Sequence, residues 1–225
     1  MPYVCLLLSG AALLVNGLAT LGHLPRRDAA TFSLVLGGTQ VVLAVVHLSL
    51  AGNAAPALMT AAGMFLFGLT YVYAGLDVLL GLGSKGLGWF CGMVAFFGLL
   101  LASAWLGSDP LLAVLWVCWA VLWGLLFASG ALGAVRLEPF TGWSLVLASQ
   151  ATATVPAFLG LAGLWPRSMW VAWLAAALAA GLFSASRVLA RRGRGGPGAH
   201  PGRVRRADKE ARPAAEKAAS RADSF

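Results

Sequence analysis

The chain has 225 residues, is 60% hydrophobic and only 11% charged, where soluble domains carry about a quarter charged residues. This excludes a soluble globular fold and describes an all-α membrane protein with a mean hydropathy of +0.82. The formal charge of +8 is unevenly placed. Residues 191–225 hold ten Lys/Arg and four Asp/Glu, a net of +6, and residues 1–190 hold six and four, a net of +2. A basic tail on a nearly neutral apolar body points to anionic lipid heads, and nucleic acid is excluded as a partner on that partition.

Runs of about twenty apolar residues read as membrane-spanning helices. Seven occur in order: Tyr3–Gly22, Ala30–Ala51, Ala57–Leu80, Leu87–Leu106, Leu111–Gly133, Thr141–Gly163 and Ser168–Ala190. Short breaks separate them, around His23–Asp28, Gly52–Pro56, Gly81–Gly86, Gly107–Pro110, Ala134–Phe140 and Leu164–Arg167. Such brief connections imply antiparallel neighbours in one bundle, and the runs lack the alternation of barrel strands. The first run has no basic leader and carries Asn16, so it reads as a retained span rather than a signal peptide. Arg26, Arg27, Lys85, Arg136 and the tail fall on one side, and Arg167 alone on the other. The bias toward cytoplasmic positive charge puts the N-terminus outside and the tail in the cytoplasm. From Arg191 onward the sequence is too poor in large apolar residues to bury a core. It reads as a disordered basic tether, with a transient helix across Asp208–Ala219.

Two aromatic stripes lie within the membrane. Trp116, Trp119 and Trp123 fall within an arc of roughly 60° at 100° per residue. Phe67, Thr70 and Tyr71 share a face by the i, i+3, i+4 rule. Tryptophan in spans prefers the interfaces, so a stripe that reaches mid-membrane faces protein or a pore. One reading is a packed aromatic core. The other is a narrow slot whose ring faces stack on a planar, uncharged solute such as urea or a short amide. Thr70 and the indole N–H groups would then meet the solute's edges, and hydrated ions would be excluded.

Neutral polar residues recur at depth: Asn16, Gln40, Thr70, Gln150, Thr152 and Thr154. Helix-to-helix hydrogen bonding accounts for such residues, with Asn16 the best candidate for a pore contact. Asp77 is the one acid within a span, near its end, and pairs on expectation with Lys85 or Arg136. Cys5, Cys91 and Cys118 lie in apolar runs and read as packing residues. His23, His47 and His200 are scattered without metal-ligand spacing. There is no Gly-x-Ser-x-Gly elbow, no His-Glu-x-x-His and no intramembrane carboxylate pair. Catalysis, a metal and a cofactor are therefore not expected.

Several stretches, in order, resemble the AmiS/UreI family of amide transporters and acid-gated urea channels. They are Leu6 through Asn16-Gly17, Phe67–Tyr73, Lys85-Gly86-Leu87-Gly88-Trp89-Phe90-Cys91, Trp116–Trp123, and Thr141-x-Trp143 leading to Pro156. The resemblance covers residues 1 to about 165, and the Lys85–Cys91 stretch is nearest the amidase-associated branch. It implies a six-helix core over residues 1–165, an added seventh helix over 166–190, and the tail at 191–225. It further implies a ring of six protomers, each with its own pore. The pore-lining positions it implies are Leu6, Leu13, Phe67, Thr70, Tyr71, Trp116, Trp119, Leu122 and Trp123. Three departures bear on gating. Leu147-Ala148-Ser149-Gln150 lacks the acid of the urea channel's sixth helix, the outer loops Gly52–Pro56 and Gly107–Pro110 are short, and a seventh helix follows. The expected function is passive passage of urea or short amides across the inner membrane toward a cytoplasmic amidase or urease. Proton-coupled transport through Asp77 and a non-conducting scaffold or sensor are the alternatives.

Overall fold

The computed structural model describes residues 1–52 and 54–194, and every described element is helical. The expected tail, its transient helix and His200 lie outside the described residues. Seven segments are long and apolar enough to cross a membrane. Five are single helices: α1 (Pro2–Thr20), α2 (Arg26–Ala51), α3 (Ala55–Leu80), α4 (Lys85–Trp105) and α5 (Pro110–Gly130). The sixth span, Val135–Leu161, is compound. It holds a 3-10 turn at Val135–Leu137, α6 (Glu138–Ala148), a π-helical turn at Ser149–Thr154, and α7 (Val155–Leu161). The last helix, α8, covers Met169–Arg194.

Local sequence explains most boundaries. Proline occupies the first helical turn of α1, α3, α5 and α6, where its missing N–H has no intrahelical partner to lose. Asp109 caps α5, its Oδ1 accepting from the Leu112 amide at 3.0 Å. Gly81 ends α3 in the left-handed region at φ +66°. Hydropathy starts the second span at Ala30, whereas α2 begins at Arg26. Charged residues interrupt an apolar run without interrupting a helix, so hydropathy clips such ends. The same holds for Lys85 and for Glu138, which open helices inside stretches expected to be loops.

The π turn has a visible cause. Pro156 stands two residues beyond its end, offering no N–H and crowding the carbonyl four residues back, within the turn. A wider turn accommodates both effects. Thr154 Oγ1 donates to the Ser149 carbonyl five residues back at 3.0 Å, and Thr152 Oγ1 to Ala148 at 2.8 Å.

Close helix contacts are made at glycines. A Cβ on Gly37 would lie 2.7 Å from the Gly68 carbonyl, joining α2 to α3. One on Gly17 would lie 2.9 Å from the Gly142 carbonyl, joining α1 to α6, and one on Gly88 would collide with the Ala131 amide at the end of α5. Small residues let backbones approach where lipid supplies no hydrophobic drive. Within the core, Phe67 and the three tryptophans of α5 share one buried cluster. Helix α8 adds Leu182 to that cluster, yet only 17% of its spanning window is buried, against 50% for α5.

Candidate functional site

Two cavities open toward opposite ends of the bundle. The first, about 370 Å³, is lined at the ends of helices by Asn16, Thr20, Arg26, Asp77, Ser84, Ser129, Glu138 and Thr141, and deeper by Leu13, Thr70, Tyr71 and Trp123. The second, about 290 Å³, is lined by Tyr3, Leu6, Ser9, Gln40, Met59, Met64, Trp105, Asp109, Trp165 and Arg167, and deeper by Phe67, Trp116 and Trp119. These are called the polar and the aromatic cavity below. A water molecule's share of liquid volume is about 30 Å³, so each has room for several small solutes.

Three helices present one continuous face to both. On α1 the lining passes from Leu6 and Ser9 to Leu13 and Asn16; on α3 from Gly63 and Phe67 to Thr70 and Asp77; on α5 from Trp116 and Trp119 to Trp123 and Leu126. The handover from one cavity to the other takes three or four residues on each helix, about 5–6 Å at 1.5 Å per residue. One helical turn of aromatic packing therefore separates two vestibules.

That turn is built around Phe67, which is 7% exposed. Its ring stacks on Trp123 at 4.6 Å and 11°, and meets Trp119 edge-on at 5.2 Å and 82°. Trp116 meets Trp119 at 5.1 Å and 83°. Gly63 makes room for Trp116, since a Cβ there would lie 2.7 Å from the indole ring. The side chains of the dividing turn, Ser9, Leu13, Phe67, Tyr71, Trp119 and Trp123, carry no charge. An ion would lose its water there without replacement, whereas a planar neutral solute can exchange ring stacking for hydration.

Three of the candidate groups have partners or surroundings that spacing alone does not show. The indole N–H groups are not open to a solute's edge: Trp119 Nε1 donates to Thr152 Oγ1 and Trp123 Nε1 to Thr70 Oγ1, each at 3.1 Å. Leu122 lines neither cavity and is fully buried. It stands roughly 60° outside the tryptophan arc. Asp77, 5% exposed, is gripped by Ser84, a partner that the sequence reading did not name. Oδ1 accepts from the Ser84 amide at 2.8 Å and Oδ2 from its hydroxyl at 2.5 Å. Ser84 is the residue before α4 and holds φ +61°, so the carboxylate fixes a strained turn at the positive end of a helix.

The remaining candidates divide between the two cavities. Leu6 is in the aromatic cavity, and Leu13, Thr70, Tyr71 and Asn16 are in the polar one. Asn16 Nδ2 donates to the Ala12 carbonyl at 2.9 Å and Ser33 Oγ at 2.7 Å. With both amide hydrogens engaged, its oxygen is the group left for a solute. Sequence reasoning missed Trp165, whose Nε1 donates to Asp109 Oδ2 at 2.8 Å and whose ring lies 5.3 Å from Tyr3. This contact ties the loop after α7 over the aromatic cavity's mouth. At the other mouth Arg26 and Glu138 approach to 3.9 Å, both well exposed.

Comparison with known proteins follows the same outline. The family model described as AmiS/UreI family transporter matches residues 1–164. A protein of Rhodococcus erythropolis named as the transporter AmiS2 is 44% identical over 165 residues, 72% of this chain and 80% of that protein. One of Mycolicibacterium smegmatis, named as an amidate-substrates transporter, is 37% identical over 160 residues, 69% and 74% respectively. The crystal structure of the Helicobacter pylori urea channel matches with a TM-score of 0.67 and 29% identity, covering 74% of this chain and 100% of that one. The matched family region contains the first six spans, and Met169–Gly193 lies beyond it.

Proposed function

The chain belongs to the AmiS/UreI transporter family, and we propose that it is a passive channel for urea or short aliphatic amides. It is a multi-pass membrane protein with seven spanning helices, and its work on this reading is permeation without catalysis. The observation that carries the proposal is the pair of vestibules divided by one uncharged aromatic turn, with α1, α3 and α5 continuous through both. A solute would shed water in the aromatic cavity, pass the dividing turn of Phe67 and the tryptophans, and regain polar partners beside Asn16 and Thr70. By the positive-inside bias the polar cavity, rimmed by Arg26, faces the cytoplasm. Delivery there would supply an amidase or urease. Leu6, Leu13, Asn16, Phe67, Thr70, Tyr71, Trp116, Trp119 and Trp123 are the proposed lining. Assembly into a ring of six, each protomer with its own route, belongs to the same proposal.

The test is stopped-flow light scattering of vesicles carrying the purified protein and loaded with urea or acetamide. Solute exit faster than from protein-free vesicles is expected, unchanged when a proton gradient is collapsed. Exit at the protein-free rate would overturn the proposal.

A further inference from the structure

Because Thr70 and Thr152 hold the indole N–H groups, the rings of the dividing turn offer faces to a passing amide and almost nothing to its edge. Open hydrogen-bonding capacity at that depth lies on the other wall. Gln40 Oε1 and the Tyr71 hydroxyl are buried without a hydrogen-bond partner. The Gln40 amide cannot turn over to satisfy itself. Its Nε2 donates to the Cys5 carbonyl at 2.7 Å and to Ser9 Oγ at 2.9 Å, and reversal would set oxygen against a carbonyl. Ser9 in turn lies beside Tyr71, whose phenol meets no partner at good geometry. Gln40 and Ser9 line the aromatic cavity and Tyr71 the polar one. Three polar groups from α2, α1 and α3 therefore run past the aromatic turn from one vestibule to the other. Gly37, one turn before Gln40, lets α2 approach α3 at Gly68 closely enough to bring Gln40 into this line. A buried acceptor left bare needs an account, and a transient partner supplies one.

We propose that Gln40, Ser9 and Tyr71 form the hydrogen-bonding edge of the slot and set its preference for primary amides. A solute lying flat on Phe67 donates an N–H to Gln40 Oε1, while the Tyr71 hydroxyl donates to its carbonyl oxygen; Ser9 positions both. Gln40 is thus a specificity-determining residue on a helix that supplies no aromatic wall. This rests on the conduction reading above.

The experiment compares exit of urea, which has two NH₂ groups, and N,N-dimethylformamide, which has a carbonyl and no N–H, from vesicles carrying the full chain. Gln40→Met keeps length and removes the acceptor. The urea to N,N-dimethylformamide permeability ratio is expected to fall by roughly three- to tenfold, the range one neutral hydrogen bond is worth. A purely structural role scales both solutes together, so an unchanged ratio overturns the proposal. Should Gln40→Met fail to reach the vesicle, Gln40→Leu, which also removes the acceptor, is measured in the same way. A fall in the ratio there supports the hydrogen-bonding edge, and no change overturns it. Wild-type protein passing neither solute would overturn the conduction reading instead.

Discussion

The two cavities differ in kind, and the difference explains how one chain can admit a solute from water and return it. The aromatic cavity is walled by Tyr3, Met59, Met64, Trp105 and Trp165, with its charges, Asp109 and Arg167, in the segments just beyond helix ends. Little there competes with water for a solute's hydrogen bonds, so entry selects molecules that gain from ring faces. The polar cavity offers Asn16, Thr20, Ser129 and Thr141, and on the proposed route a solute would regain hydrogen bonds from these groups before it met water. Flow depends on this contrast being short-range. The boundary is one helical turn, so a solute leaves the rings within about 6 Å of meeting them.

Removing the boundary should give the largest effect. Trp119→Ala takes away the ring that meets both Phe67 and Trp116 edge-on and merges the cavities. Trp89, 64% exposed, packs on Phe127 at 5.1 Å, in keeping with an interfacial anchor. Stopped-flow exit of urea and of a bulkier amide should change about tenfold or more in relative rate for Trp119→Ala, a shift worth roughly 1.4 kcal/mol. Trp89→Ala should leave the ratio near wild type. Equal small effects at both sites would mean that the rings are packing alone.

A subtler change on the aromatic side should follow in size. Gly63→Ala puts a methyl 2.7 Å from the Trp116 indole, and overpacking of this kind costs about 1–3 kcal/mol. The ring must shift into the cavity, so urea exit should slow several-fold. The matched control is Gly38→Ala, where a Cβ meets nothing within 4 Å. Helix propensity favours alanine there, and flux and thermal stability should hold or rise slightly.

On the polar side the informative residue is Asp77. Its carboxylate holds the Ser84 turn through two hydrogen bonds, and bonds to charged groups are worth about 1.5–3 kcal/mol. Asp77→Ala should lower the melting temperature of the detergent-solubilised protein, and Asp77→Asn should lower it less. Amide exit should change little in either, with or without an uncoupler. Loss of uptake in Asp77→Asn with stability intact would instead make the residue a proton carrier.

How much of this is legible follows from which distances a sequence encodes. Helical spacing fixes which side chains share a face, so both aromatic stripes can be read from positions alone. Spacing says nothing of what faces a stripe. Thr152 meets Trp119 across 33 residues and Trp165 meets Asp109 across 56, contacts set by how helices are arranged. The π turn is hidden too, although Pro156 amid an apolar run is its available signal. Gln40 is visible as a polar residue at depth, but its bare oxygen depends on Cys5 and Ser9 arriving from another helix. Leu122 is the converse case: resemblance assigns it to the pore, whereas in the structure it is fully buried and lines neither cavity.

The smallest expected effect is that of acid. Opening between about pH 5 and pH 7.5 requires a group that changes charge in that window, and histidine is the side chain suited to it. Among the described residues the histidines are His23 and His47, and neither lines a cavity. His23 follows α1 on the basic side, and His47 stands near the end of α2. The aromatic mouth is instead held by groups that keep one another in place. Asp109 accepts from the Leu112 amide and from Trp165, and Trp165 covers Tyr3. That clasp joins the start of α5 to the loop beyond α7 without an imidazole. Permeability to urea and acetamide should therefore stay nearly constant across the window, measured in vesicles buffered identically on both sides. A several-fold opening on acidification that His47→Ala abolishes would show that an imidazole outside both cavities can still move the dividing turn. The contrast between the vestibules would then be adjustable from a helix end rather than fixed by their walls.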